Sequence, residues 1–105
     1  VSNSTETQIF HIAQQADLDE ARKAGQYVCD SLSTEGFIHC CLEGQLKGVV
    51  ERYYRGVTGM QLLTLAPDLV NAELRFENTV GGDEDFPHIY GPINLDAIVA
   101  VGPLT

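Results

Sequence analysis

The sequence predicts a mixed α+β domain, and three observations carry that expectation. Apolar residues recur at helical spacing in two stretches of the first half, and short strand-like phrases are interleaved with them and crowd the second half. No strand-like phrase is followed by a G-x-G-x-x-G or Walker-type loop, so a doubly wound Rossmann or P-loop nucleotide site is not expected despite ten glycines. A chain of 105 residues with 44% hydrophobic content has room for one compact domain, burying about 60–70% of its unfolded surface. Residues 1–7, Val1 to Thr7, are polar and read as an extended or disordered lead, leaving residues 8–105 as the single α+β domain.

Gln8 to Ala13 reads as a first strand, with Phe10 and Ile12 on one face and Ile9, His11 and Ala13 on the other. Asp17 and Glu20 are spaced as a capping pair, Leu18, Ala21 and Ala24 follow at near-helical intervals, and Gly25 supplies a stop, which predicts a helix from about Ala16 to Ala24. Gly36 to Cys41 reads as one strand that places Phe37, His39 and Cys41 together on a face. Leu42, Leu46, Val49, Val50, Tyr53 and Tyr54 form the second helical stripe, and Gly44 and Gly48 inside it suggest close approach of a neighbouring backbone. Gly56 and Gly59 end that helix; Gln61 to Leu65 and Ala72 to Glu77 then read as a hairpin-like pair around Pro67-Asp68. Asn78 to Asp85, with paired glycines and three consecutive acids, reads as a mobile surface loop, a flap whose acids match no calcium-loop spacing. His88 to Tyr90 and Ala97 to Val101 are the final strands, separated by the Gly91-Pro92 turn and the Asn94-Leu95-Asp96 corner.

Charge and cysteine usage narrow the functional classes. Fifteen acids against six Lys plus Arg give a net charge of −9, which opposes the counterion release that drives binding to nucleic-acid backbones and disfavours anionic membranes. A local pocket for one phosphorylated ligand stays open, because Lys47, Arg52 and Arg55 lie close together in the chain. Cys29, Cys40 and Cys41 are odd in number and lack C-x-x-C spacing, so neither a disulfide framework nor a zinc knuckle is written, and a reducing, cytoplasmic setting is expected. The longest late apolar run, Ala97 to Val101, is far too short to span a bilayer, and neither a signal peptide nor a membrane anchor is legible.

Every histidine sits in an apolar strand-like phrase: Ile9-Phe10-His11-Ile12, Phe37-Ile38-His39-Cys40 and Pro87-His88-Ile89-Tyr90. Imidazole exchanges protons near neutrality, so three embedded in core-forming strands point to a lined cleft. Taken singly, each reads more readily as a core histidine satisfied by hydrogen bonds; for the three together the two readings weigh equally. Zinc is not expected at His11, His39, His88 and Cys41, since no H-x-x-x-H or C-x-x-C pair starts a chelate. Cys40 and Cys41 read as small buried hydrophobes rather than nucleophiles.

These three histidine phrases, the second beginning at Ser33 and the third running from Asp85 to Asp96, resemble the domain-of-unknown-function family 952 over about Ile9 to Leu104. That family is similar in architecture to the ADP-ribosyltransferase-like fold, a split β-structure here accompanied by two helices, whose cleft holds NAD or an ADP-ribosylated intermediate. The resemblance implies that His11 corresponds to the His or Arg of an opening strand and His39-Cys40 to a second His motif. The glutamate that such transferases place at the start of a late strand has no counterpart at Pro87-His88, which argues against ordinary protein ADP-ribosylation. The resulting expectation is a transferase or hydrolase acting on NAD, ADP-ribose or another nucleotide-like ligand. Its alternative is a noncatalytic small-molecule or protein-binding module on the same frame. His11 and His39 are expected to orient the ligand, His88 or Tyr90 to bound its far side, Glu35 to bond a ribose or an imidazole, and Arg52 and Arg55, three apart on one helix face, to meet a phosphate.

Overall fold

The computed structural model describes residues 8–79 and 81–104, so the polar lead falls outside the described residues. The elements are β1 (Ile9–Gln14), α1 (Gln15–Ala24), β2 (Gln26–Tyr27), α2 (Asp30–Thr34), β3 (Ile38–His39), β4 (Cys41–Leu42), α3 (Glu43–Tyr53), β5 (Met60–Leu65), β6 (Glu73–Glu77), β7 (Phe86–Tyr90), β8 (Ile93–Asn94) and β9 (Ile98–Pro103), with single 3₁₀ turns at Pro67–Leu69 and Leu95–Ala97. The class is α+β, as the alternation of patterns predicts. The strands make a four-stranded sheet in the order β9-β5-β1-β4, a three-stranded sheet β3-β7-β6 and the small pair β2-β8, every pairing antiparallel.

The expected hairpin between residues 61–65 and 72–77 does not form. Both edges of β5 are already occupied, by β1 and by β9, so β6 has no ladder to join there. The turn at Pro67–Leu69 instead sends the chain to the second sheet, where β6 pairs with β7. The expected strand over residues 36–41 divides at Cys40. His39 pairs with His88 in one sheet, whereas Cys41 pairs with Phe10 in the other, and the Cys40 N–H donates to the Pro87 carbonyl at 3.0 Å between them. Cys40 therefore marks the seam between the two larger sheets.

Helix α1 is closed by Gly25 in the left-handed region at φ +84°, a conformation that glycine adopts without steric cost. Its start lies slightly earlier than the capping pair implies. Gln14 is the N-cap without a side-chain bond, and Asp17 sits in the first turn, where its carboxylate complements the helix dipole. A third helix, α2, has no counterpart in the sequence reading. Four of its five residues are poor helix formers, and the hydroxyls of Ser33 and Thr34 turn back to the Asp30 carbonyl, both at 3.1 Å. Helix α3 begins with the Leu42 N–H donating to Gln45 Oε1 at 2.9 Å, and its stripe of Leu46, Val49 and Val50 is half-buried.

The glycines of α3 correct another expectation. A Cβ built at Gly44 or Gly48 meets nothing within 4 Å, so close backbone packing is not why they are there. Each leaves the helix about 1 kcal/mol short of alanine. Gly44→Ala and Gly48→Ala are accordingly expected to stabilise the fold by about 0.5–1 kcal/mol each, read as a higher urea midpoint at unchanged m-value. A lower midpoint in either variant would contradict the open surroundings.

The core gathers Ile9, Ala13, Leu18, Ala21, Tyr27, Ile38, Leu63, Leu65, Ile89, Ile93 and Ala97, drawn from all three sheets and α1. Its position against β1, β3 and β7 explains why their histidines are held in fixed places. The described part of the loop before β7, expected to be a mobile flap, carries several side-chain hydrogen bonds. Gln45 Nε2 donates to Glu84 Oε1 at 3.2 Å and to the Asp85 carbonyl at 2.9 Å, and the Asn78 side chain bonds the Gly81 N–H at 2.9 Å and the Gly82 carbonyl.

Candidate functional site

The β3–β7 register sets His39 directly opposite His88, and their rings stand 5.3 Å apart at 81°. Phe37, just before β3, stacks on His88 at 4.1 Å and 20° and meets His39 edge-on at 4.9 Å. Each imidazole also has a carboxylate. His88 Nδ1–H donates to Glu77 Oε1 at 3.0 Å, and Tyr90 O–H donates to the same oxygen at 2.5 Å. These two bonds hold the Glu77 carboxyl below its ordinary pKa. His39 Nε2–H donates to Glu35 Oε2 at 3.1 Å across α2's C-terminal turn.

The two imidazoles differ in exposure. His88 is only 1% exposed, while His39 is about half exposed. Both line a hollow of about 480 Å³ with Glu35, Cys40, Val49, Tyr53, Tyr54, Thr79 and Phe86. Among the described residues nothing pairs with His88 Nε2, which leaves an unpartnered nitrogen on a buried ring that lines the hollow.

His11 plays a different part. It is buried in β1, its Nδ1–H donates to the His39 carbonyl at 2.5 Å, and its Nε2 accepts the Tyr27 O–H at 2.7 Å. Burial lowers its pKa to about 4 against the smaller opposing effect of the carbonyl bond, so it is neutral at pH 7 with a fixed tautomer. Burial likewise pushes the Tyr27 phenol well above its usual range. With both nitrogens engaged, His11 positions the His39 backbone rather than exchanging protons with a ligand.

His11 borders a second hollow, of about 250 Å³, alongside Phe10, Asp17, Tyr27 and Asp30. The two hollows share His39, Cys40, Val49 and Tyr54. The three imidazoles thus lie along one continuous seam, but only His39 faces both spaces.

The other expected site residues divide. Glu35 is at the larger hollow, as an imidazole partner. Tyr90 does not line it; the ring packs 5.3 Å from Phe37 and under the Arg75 guanidinium at 4.5 Å, and its hydroxyl props Glu77. Arg52 and Arg55 are exposed and line neither hollow, and because α3 stops at Tyr53, Arg55 lies beyond the helix and does not extend a face with Arg52. Glu77 and Tyr27 were not legible as site residues, since only strand pairing brings Glu77 to His88 and only the β2–β8 pair seats Tyr27 against His11.

Burial raises the Cys41 thiol to about 11 and the Cys40 thiol well above its ordinary value, so neither is a ready thiolate. All three cysteines are free. Among the described residues no group of three or more His, Cys, Asp or Glu side chains gathers as a metal site, and no helix is long and apolar enough to cross a membrane.

The fold and seam define a small α+β protein with a histidine-carboxylate cleft between antiparallel sheets. The chain belongs to the DUF952 family, described as proteins of unknown function, whose model matches residues 12–101. It is similar to the crystal structure of protein CC0527 from Caulobacter crescentus, 26% identical, with a TM-score of 0.83 over 94% of this chain and 87% of that one. The solution NMR structure of CC0527 gives a TM-score of 0.79 over 94% of this chain and 85% of that one, at 26% identity. No curated protein matches the chain.

Proposed function

We propose that the protein is a transferase or hydrolase that holds a nucleotide-like small molecule in the larger hollow and uses His88 as its acid–base group. One observation carries this reading: a buried imidazole that lines the hollow is held through Nδ1 by a carboxylate while its Nε2 has no partner among the described residues. In its neutral form His88 accepts a proton at Nε2 from a hydroxyl or a water, whose oxygen attacks the electrophilic centre as the bond to the leaving group breaks. The imidazolium then returns that proton to the leaving group. Glu77 fixes the tautomer and offsets the transient charge, with Tyr90 holding the carboxylate in place.

The size of the hollow falls within the range of small-molecule sites, and Tyr53, Tyr54 and Phe86 offer ring faces for a heterocyclic base. NAD and ADP-ribose are members of this ligand class, and an ADP-ribosyltransferase-like frame is part of the proposal. The net charge of −9 argues against nonspecific nucleic-acid binding and against docking on anionic membranes, and three unpaired cysteines suit a reducing, cytoplasmic setting.

Thermal denaturation with NAD, ADP-ribose, nicotinamide and adenosine tests the proposal. A ligand present at 100 times its Kd is expected to stabilise the fold by about 2.7 kcal/mol. Chromatography of the same mixtures should show slow consumption of the stabilising compound. Stabilisation without consumption would leave a noncatalytic binding module, and no stabilisation by any of them would overturn the reading.

A further inference from the structure

We infer that the part of the ligand seated in the larger hollow against His39 and His88 is an uncharged vicinal diol, the 2′,3′-hydroxyls of a nucleoside, and that phosphate is excluded from this position. The inference rests on the proposed site and specifies its substrate class. Hydrogen-bond polarity at the two rings favours donors on the ligand. His88 spends its Nδ1–H on Glu77 and His39 spends its Nε2–H on Glu35, so each neutral ring has one remaining nitrogen, and that nitrogen is an acceptor. Two acceptors on rings that line one hollow call for a ligand that brings two donors, as neighbouring hydroxyls do and a phosphate dianion does not.

Charge at the site disfavours an anion. If either ring becomes protonated, its own carboxylate already balances it, and a phosphate placed there would stand against Glu35 and Glu77. Among the described residues no lysine or arginine lines either hollow to counter that repulsion; Arg52 and Arg55 face solvent elsewhere. The buried His88 Nε2 supplies the unmet demand on the protein side, because a lone pair held out of water gains most from a hydroxyl donor. Glu35 is then a specificity residue: by accepting the His39 N–H it keeps the other ring nitrogen an acceptor.

Isothermal titration at about pH 8, where an ordinary imidazole is neutral, tests this with adenosine, guanosine, cytidine and uridine and with their 2′- and 3′-monophosphates. At least one nucleoside is expected to bind at least about tenfold more tightly than its 2′- or 3′-monophosphates, the scale set by like-charge repulsion and a lost donor. Glu35→Gln, which removes the carboxylate, is expected to narrow that ratio, with circular dichroism confirming the fold. A monophosphate binding as tightly as its nucleoside would overturn this inference while leaving the acid–base role of His88 standing. Absence of binding by every nucleoside and nucleotide would overturn both.

Discussion

Lowering the pH from about 6.5 to about 4 is expected to remove about 3 kcal/mol of folding stability through His11 alone. The folded pKa is depressed to about 4, whereas in the unfolded chain the imidazole titrates near its ordinary value. Between those limits the unfolded state binds the proton and the folded state does not. Stability is therefore full above the unfolded pKa, falls as the pH drops through the window, and levels off once both states are protonated. Glu77, also held low in the fold, loses stability in the same direction, and Asp17, raised by burial and by Asp30, works oppositely.

Variants at position 11 isolate the effect. His11→Gln retains a donor for the His39 carbonyl and an acceptor for the Tyr27 hydroxyl but cannot titrate, so urea unfolding across the pH series should keep most of the stability and lose most of the acid slope. His11→Leu leaves both partners unpaired in a buried place and is expected to cost about 2–5 kcal/mol. An unchanged acid slope in His11→Gln would show that another group carries it.

The second large effect is chemical. His88→Gln preserves a donor toward Glu77 and removes the base, and kcat on a consumed nucleoside is expected to fall about 10²–10⁴-fold with little change in KM. Glu77→Gln should lower kcat less, because the imidazole survives without its orienting carboxylate. His11→Gln should leave kcat within about threefold, since both nitrogens of His11 are committed to structure. Comparable kcat losses at positions 11 and 88 would erase the division between a positioning and a reacting histidine.

Much of the fold is visible in the residues themselves. The period of α1, its glycine stop and the stripe of α3 follow from local spacing, and the first strand is recognisable because Ile9 to Ala13 is apolar apart from one histidine. Pairing is not local. Nothing within Gln61 to Leu65 says that both its edges will be taken, and so the adjacent strand looks like its partner until β9 and β1 are in place. Helix α2 is invisible for another reason: it is short and, apart from Leu32, built from Ser, Thr and Asp, whose side chains compete with helical bonds.

The site shows the same limit. His39 and His88 are prominent as titratable groups in apolar strands, and the cross-strand register makes them a pair. Glu35 lies four residues before His39 and is legible as a turn acid near it. Glu77 is eleven residues from His88 and two strands meet before it becomes a partner; no spacing rule points there. The three-residue spacing of Arg52 and Arg55 predicts a shared helix face, but the helix ends between them.

Long-range ¹H–¹⁵N correlation spectra of the three imidazoles, recorded before and after addition of a binding nucleoside, test the central claim most directly. The expected result is the tautomer proton on Nδ1 of His11 and His88 and on Nε2 of His39, with ligand-induced shifts at His39 and His88 while His11 stays still. Shifts confined to His11, or a proton on Nε2 of neutral His88, would contradict it.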